Sequence, residues 1–228
     1  MKRNYFTSLI AGILILCGCI QLLGCETESG PESCVSDIKV LSHEGYYDTG
    51  GIVGNYVEIF GEIQNIGDTN LTFIKLTATL YDNDGQVIGT DYTYARADIL
   101  LPGEKAAFSI MKGPTGEDFE SYILEVTSCG ETTDVPYRDF EFLNTSSYID
   151  DKGYYCVKGD LKNIGTQNID YVDVIITFYN TEGEVISATS FLIAGLEAGG
   201  IAPFDTYTLP NWISSKIASY SLQTDVSD

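Results

Sequence analysis

Basic side chains are scarce in this sequence. Twelve Lys and Arg stand against 33 Asp and Glu, a formal net charge of −21. A surface with that balance repels nucleic acid and anionic head groups, so no nucleic-acid partner is expected. Histidine is almost missing. His43 is the single one, beside Glu44 in a Gly/Tyr-rich stretch, and no Gly-x-Ser-x-Gly elbow accompanies it. The side chains of a hydrolytic triad are therefore not spelled out. Cys34, Cys129 and Cys156 lie too far apart in sequence for a zinc set. Phosphate loops and dinucleotide fingerprints are absent as well. Asp82-Asn83-Asp84-Gly85 begins like a calcium loop, but the twelfth position is Thr93 rather than a bidentate Glu, so the stretch reads as a turn. These gaps point away from an enzyme and away from a bound metal or cofactor. Helical periodicity is missing too, since its one short rival is Asn211–Lys216.

One long apolar run is present, and it sits at the start. Lys2 and Arg3 precede Leu9–Leu16, which reads as a secretory signal. Two sites near its end, Leu16-Cys17-Gly18-Cys19 and Leu22-Leu23-Gly24-Cys25, resemble the lipobox of prokaryotic lipoproteins. Cys25 is the preferred lipidation site because a polar, acidic tether follows it. Cys19 is the alternative, with an apolar core nearer the usual length. The rival reading is an uncleaved membrane helix, but Leu9–Gly24 is short for a span and carries Gln21. The resemblance implies a diacylglycerol group, whose two chains hold a protein stably on a membrane. The chain is thus expected to be exported and anchored to the outer face of the cell membrane.

The mature part is a repeat. Gly61–Ile88 aligns without a gap to Gly159–Ile186, 98 positions on. The identical positions are Gly61, Asn65, Ile66, Gly67, Asn70, Thr79, Tyr81, Gly85, Val87 and Ile88, which is 10 of 28. A repeat of this length means two copies of one domain. Within it, Ile74, Leu76, Ala78 and Leu80 alternate with Lys75, Thr77, Thr79 and Tyr81, the period of a strand with one buried face. Asp82–Gly85 makes a hairpin, and Gly85 and Gly183 are placed for positive φ. Further strands are expected at Val35–Leu41, Tyr56–Ile63, Val87–Tyr94, Ala106–Met111, Tyr122–Thr127 and Ile217–Gln223, with loops at 42–54 and 144–153. Short strands with turns between them argue for antiparallel sandwiches. The expected division is a signal at 1–24, a tether at 25–33, one sandwich at 34–131 and a second at 132–228. The polar stretch Ser128–Asp134 marks the boundary.

Gly61, Asn65, Leu80, Tyr81, Asp82, Gly85, Pro102, Gly103 and Phe108 resemble the FxLYD domain, a family of exported prokaryotic modules. Ala78 stands where the name-giving Phe would be. In the second copy, Ile176, Phe178 and Asn180 stand where the Phe, Leu and Asp would be, Tyr179 keeps the Tyr, and Ala198 replaces the Pro. The resemblance covers nearly all of the mature chain. It implies two tandem immunoglobulin-like β-sandwiches at a cell surface, and it implies no reaction and no ligand.

Three further features bear on function. The chain has 16 tyrosines, and Tyr46, Tyr47, Tyr92, Tyr94, Tyr148, Tyr154 and Tyr155 fall near loops and strand ends. Exposed Tyr stacks on sugars or anchors partner proteins, and Tyr is also an ordinary strand residue. Asn70-Leu-Thr and Asn144-Thr-Ser are glycosylation sequons in turn-like segments. If Cys25 carries lipid, Cys34, Cys129 and Cys156 remain, an odd set. A Cys34–Cys129 bridge would tie the ends of the first domain together if the two Cα atoms approach within about 7 Å. A Cys129–Cys156 pair is the competing connectivity, and Cys156 otherwise reads as a small buried hydrophobe. The expected role is a surface-anchored, non-enzymatic lipoprotein that binds or scaffolds an envelope protein or glycan. A solute- or ion-binding envelope subunit is the alternative.

Overall fold

A computed structural model of the chain describes residues 34–48, 55–113, 119–208 and 211–226. The leader, the tether and both lipidation candidates, Cys19 and Cys25, lie outside these residues. The described chain is all-β, apart from two 3-10 turns at Cys34–Asp37 and Asn211–Lys216. None of its helices is long and apolar enough to cross a membrane.

The first repeat contains β1 (Ile38–Asp48), β2 (Tyr56–Asn65), β3 (Asn70–Asp82), β4 (Val87–Tyr94), β5 (Ile99–Leu100), β6 (Lys105–Lys112) and β7 (Phe119–Thr132). One sheet runs β1-β2-β6. The other runs β4-β3-β5, with β7 also paired to β3, and every pairing is antiparallel. Ile59 and Ile63 from one sheet meet Leu76 and Leu80 from the other around Phe108, all at most 1% exposed. Period-two alternation therefore produces one dry layer between two sheets.

The second repeat contains β8 (Phe140–Ile149), β9 (Tyr155–Asn163), β10 (Ile169–Tyr179), β11 (Val185–Leu196), β12 (Ile201–Tyr207) and β13 (Ser219–Val226). Its sheets run β12-β9-β8 and β11-β10-β13. Val157, Leu161, Val174, Ile176, Phe178 and Phe204 form a separate core. The offset of 98 holds into β11 and has become 96 by its last residue, Leu196, which stands for Leu100. It is still 96 at Phe204, which occupies the place of Phe108. The two-residue difference falls at 95–98, which separate β4 from β5, whereas β11 runs on without a break.

The shared residues of the repeat have a structural cause. Asn65 is fully buried, and its amide nitrogen donates to Thr69 O at 2.8 Å and Leu100 O at 2.9 Å. Its side-chain oxygen accepts from Gly67 N at 3.0 Å. Asn163 repeats this with Gln167 O, Leu196 O and Gly165 N at 2.7, 3.3 and 3.1 Å. Each Asn pins the turn after its strand to the opposite sheet and satisfies carbonyls that would otherwise be buried unpaired. Gly61 lies beneath the ring of Phe108, and a Cβ there would also sit 2.7 Å from Ser42 O. Gly85 and Gly183 have φ of 74° and 79° in their hairpins.

Several boundaries differ from the sequence reading. Val35–Asp37 belongs to a 3-10 turn rather than a strand. Ser42–Asp48, expected as loop, continues β1 past a bulge between Val40 and Ser42. The strand persists because Gly45 makes room for Tyr122, whose ring carbon Cε1 lies 2.5 Å from where a Cβ would stand. Asn144–Ile149 likewise extends β8 through a bulge, with Asn144 at φ 54°. The sequons therefore lie at the start of β3 and inside β8 rather than in turns. Ser128–Thr132 completes β7 on the edge of β3, which moves the connection between the repeats to 133–139.

Candidate functional site

The residues singled out from sequence do not converge on a reactive centre. His43 Nδ1 lies 2.7 Å from the Tyr122 hydroxyl, and the two rings meet edge to face. Burial lowers the His43 pKa and raises that of Tyr122, so both are held neutral. Asp82 Oδ1 accepts from the backbone of Asp84 and Gln86 at 3.0 and 2.7 Å. Asn180 and Asp150 cap equivalent turns in the same way. Among the described residues, no group of three or more His, Cys, Asp or Glu is placed to hold a metal ion.

Cys34 and Cys129 form a disulfide with Cα atoms 6.0 Å apart. Cys156 is a buried free thiol whose Sγ reaches Tyr154 O at 3.6 Å. Asn70 donates to Asp134 O at 2.9 Å, and Asn144 donates to Asp160 Oδ2 at 2.9 Å. The tyrosines divide. Tyr46 is buried, while Tyr47 packs at a tilt on Phe119 and Tyr155 packs edge to face on Phe178. Tyr92 and Tyr94 are about half exposed on β4, with Lys75 Nζ 3.8 Å from the Tyr92 ring centre.

What the fold does assemble is a junction between the repeats. The outer face of the β1-β2-β6 sheet meets β11 and the Asn211–Lys216 turn. Tyr46, Phe60 and Ala107 from the first repeat are buried with Val185, Ile186, Ala188 and Ile213 from the second. Trp212 packs edge to face on Tyr46 at 4.9 Å. Polar contacts frame this layer. Tyr179 donates its hydroxyl to Glu62 Oε1 at 2.6 Å, and Lys105 pairs with the other oxygen at 3.0 Å. Val185 N donates to Ser42 Oγ at 3.1 Å. Burial and the Glu62 contact push Tyr179 up to about 12. Glu62 is thus a 5%-exposed carboxylate held by a cation and a phenol, which offsets the cost of its burial.

Two further clusters flank the layer. Arg96, from the 95–98 insertion, donates to Ser109 Oγ at 2.9 Å and reaches Ser190 Oγ of β11 at 3.5 Å, while its Nε is buried without a partner. Nearby, burial pushes Glu58 up to about 7, with Arg96 opposing the shift and Asp48 adding to it. On the other side, Arg138 of the connection donates to Thr224 O at 2.9 Å and Ile99 O at 3.2 Å, and pairs with Asp225 at 3.5 Å. Asp225 also accepts from Asp98 N at 3.0 Å, and burial pushes its carboxyl up to about 6. One arginine therefore grips both repeats at once. Sequence reasoning missed this junction. Its best signal was the placement of Glu62 and Phe60 on the outward side of an otherwise apolar strand.

The equivalent outer face of the second repeat, β12-β9-β8, lies open. Tyr148 is 39% exposed there and donates to both oxygens of Asp205 at 3.1 and 3.0 Å. These bonds push its pKa up to about 12. A shallow cleft of about 470 Å³ beside it is lined by Asn144, Lys158, Asp160, Phe191, Phe204 and Asp205.

The architecture is thus a pair of homologous β modules joined through a buried face, with no assembled reaction centre among the described residues. The chain belongs to the family of uncharacterized protein MJ0360 from Methanocaldococcus jannaschii. The two are 32% identical over 114 residues, 49% of this chain and 79% of that relative. No family model matches the chain. Among solved structures, a β-glucuronidase from glycoside hydrolase family 2 aligns over 67% of this chain with TM-score 0.28 and 12% identity. A Bacteroides uniformis β-glucuronidase aligns over 79% with TM-score 0.27 and 12% identity. The chain spans 20% and 26% of these two proteins, and likeness at this level carries no argument about activity.

Proposed function

We propose that this chain is an exported, lipid-anchored surface protein whose two FxLYD-like, immunoglobulin-like modules bind or scaffold an envelope protein or glycan without catalysing a reaction. The observation that carries the reading is the Cys34–Cys129 disulfide. It closes the first module directly after the acidic tether. Such bonds persist in oxidising compartments outside the cytoplasm, which is where the basic and apolar leader would send the chain. The half-exposed Tyr92, Tyr94, Tyr171 and Tyr207 supply aromatic anchors for a partner. A solute-binding subunit would use a cavity between its domains, and here that position is filled by Phe60, Val185, Ile186 and Ile213.

Membrane fractionation with mass spectrometry of the mature N-terminus tests this reading. The expected result is a membrane-bound chain that begins at a diacylglyceryl Cys25, and that Cys25→Ser releases. Lipid on Cys19 would move the anchor. An unlipidated, soluble chain would overturn the proposal.

A further inference from the structure

The junction between the two repeats has two halves, and each half has a copy at the other end of the molecule. The donor half is the start of β11 with Tyr179 before it. Its repeat equivalents are Tyr81, Val87 and Ile88, identical in type to Tyr179, Val185 and Ile186. Val185 and Ile186 are 0% and 1% exposed, whereas Val87 and Ile88 are 60% and 38% exposed. The receiving half is the outer face of β1-β2-β6. Its equivalent is the open face of β8-β9-β12. Tyr46 opposite Glu58 becomes Tyr148 opposite Cys156, and Glu62 becomes Asp160. Tyr46 is 5% exposed and Tyr148 39%. The same sequence elements are therefore covered in one copy and bare in the other.

We propose that the bare halves dock on each other between molecules, so that β4 of one copy lies across the β8-β9-β12 face of a second copy. In this arrangement Tyr81 donates to the partner subunit's Asp160, as Tyr179 donates to Glu62 within the chain. The Val87 amide reaches the side-chain oxygen of the partner subunit's Asn144, whose amide nitrogen holds the equivalent acid at 2.9 Å. Several exchanges alter the chemistry of the face: Phe60 becomes Lys158, Glu58 becomes Cys156 and Ser109 becomes Asp205. The approaching hairpin changes with it, since it carries Asp82 where the second repeat has Asn180. A charge pair thus replaces part of an apolar contact, which favours a weaker and salt-sensitive interface than the internal one.

Such a contact is heterologous. Each molecule offers one edge and one face at different places, so copies add head to tail, as an open series or a ring, and no patch pairs with itself. An exposed edge strand is also a natural site for association. The inference goes beyond the anchoring proposal and holds for a lipidated or an unlipidated chain.

Sedimentation of the full chain in mild detergent, over roughly a hundredfold range of concentration, reads the association directly. The wild type is expected to form dimers and longer oligomers as concentration rises. Val87→Asp disables the edge and Lys158→Glu disables the face, and each alone is expected to weaken association by roughly tenfold or more. Both positions are solvent-exposed, and an unchanged melting midpoint establishes that each variant is folded. Mixing the two variants gives the discriminating result. Val87→Asp keeps its face and Lys158→Glu keeps its edge, so the mixture forms dimers and nothing larger. A wild type that stays monomeric throughout would overturn the proposal. So would variants that associate like the wild type, or a mixture that fails to pair.

Discussion

Asn65 and Asn163 do the same work in both repeats. Removing the Asn65 side chain takes a hydrogen bond from the buried Leu100 carbonyl and from the part-buried Thr69 carbonyl and Gly67 N–H. Asn65→Ala and Asn163→Ala are each expected to lower stability by about 2–4 kcal/mol in chemical denaturation. A loss under about 1 kcal/mol would mean that water replaces the amide. The glycines separate two different costs. A Cβ on Gly85 meets nothing within 4 Å, so Gly85→Val costs only its backbone strain, about 1–3 kcal/mol. A Cβ on Gly61 strikes the Phe108 ring and Ser42 O, so Gly61→Ala is expected to cost more than Gly85→Val despite being the smaller change. The reverse order in melting midpoints would contradict the packing of Phe108. Gly85 and Gly183 were legible in the sequence because a hairpin turn is a local event. The role of Gly45 was not, because it depends on Tyr122, 77 positions away.

At the scale of elements, β3 could be read directly. Ile74, Leu76, Ala78 and Leu80 alternate cleanly and are all buried. The first strand could not, since His43, Gly45 and two adjacent tyrosines break the alternation over Ser42–Asp48. β2 shows the deeper limit of the pattern. Val57, Ile59 and Ile63 face the module core, as the alternation predicts, but Glu58, Phe60 and Glu62 face the second repeat. A strand buried on both sides by different neighbours looks, in sequence, like one with a mixed outer face. That burial makes the junction sensitive to pH. Glu58 and Asp225 have folded pKa values of about 7 and about 6, above their unfolded values. The folded chain thus binds more protons in this window, and the associated stability is present at low pH and lost as pH rises through about 6 and 7. His43, lowered by burial, acts in the opposite sense and loses stability as pH falls. The melting midpoint of Glu58→Gln is therefore expected to gain more over wild type at pH 8 than at pH 5. An equal gain at both values would show that Glu58 is solvated in the folded chain.

For the whole molecule, the repeat made two modules legible but gave no account of how they meet. Equal residues have unequal surroundings: Val87 and Val185 share a sequence context and differ from 60% to 0% exposure. What covers one and not the other is the arrangement of the two repeats, set by Phe60, by the Glu62–Tyr179 bond and by the grip of Arg138. Linked domains with small polar contacts move and unfold independently, whereas a buried apolar layer couples them. The central claim is that the two modules form one unit through this junction, and scanning calorimetry tests it most directly. The wild type is expected to unfold in a single cooperative transition, and the Glu62→Ala, Arg138→Ala double variant in two. Two separate transitions in the wild type, unchanged in the double variant, would contradict the account.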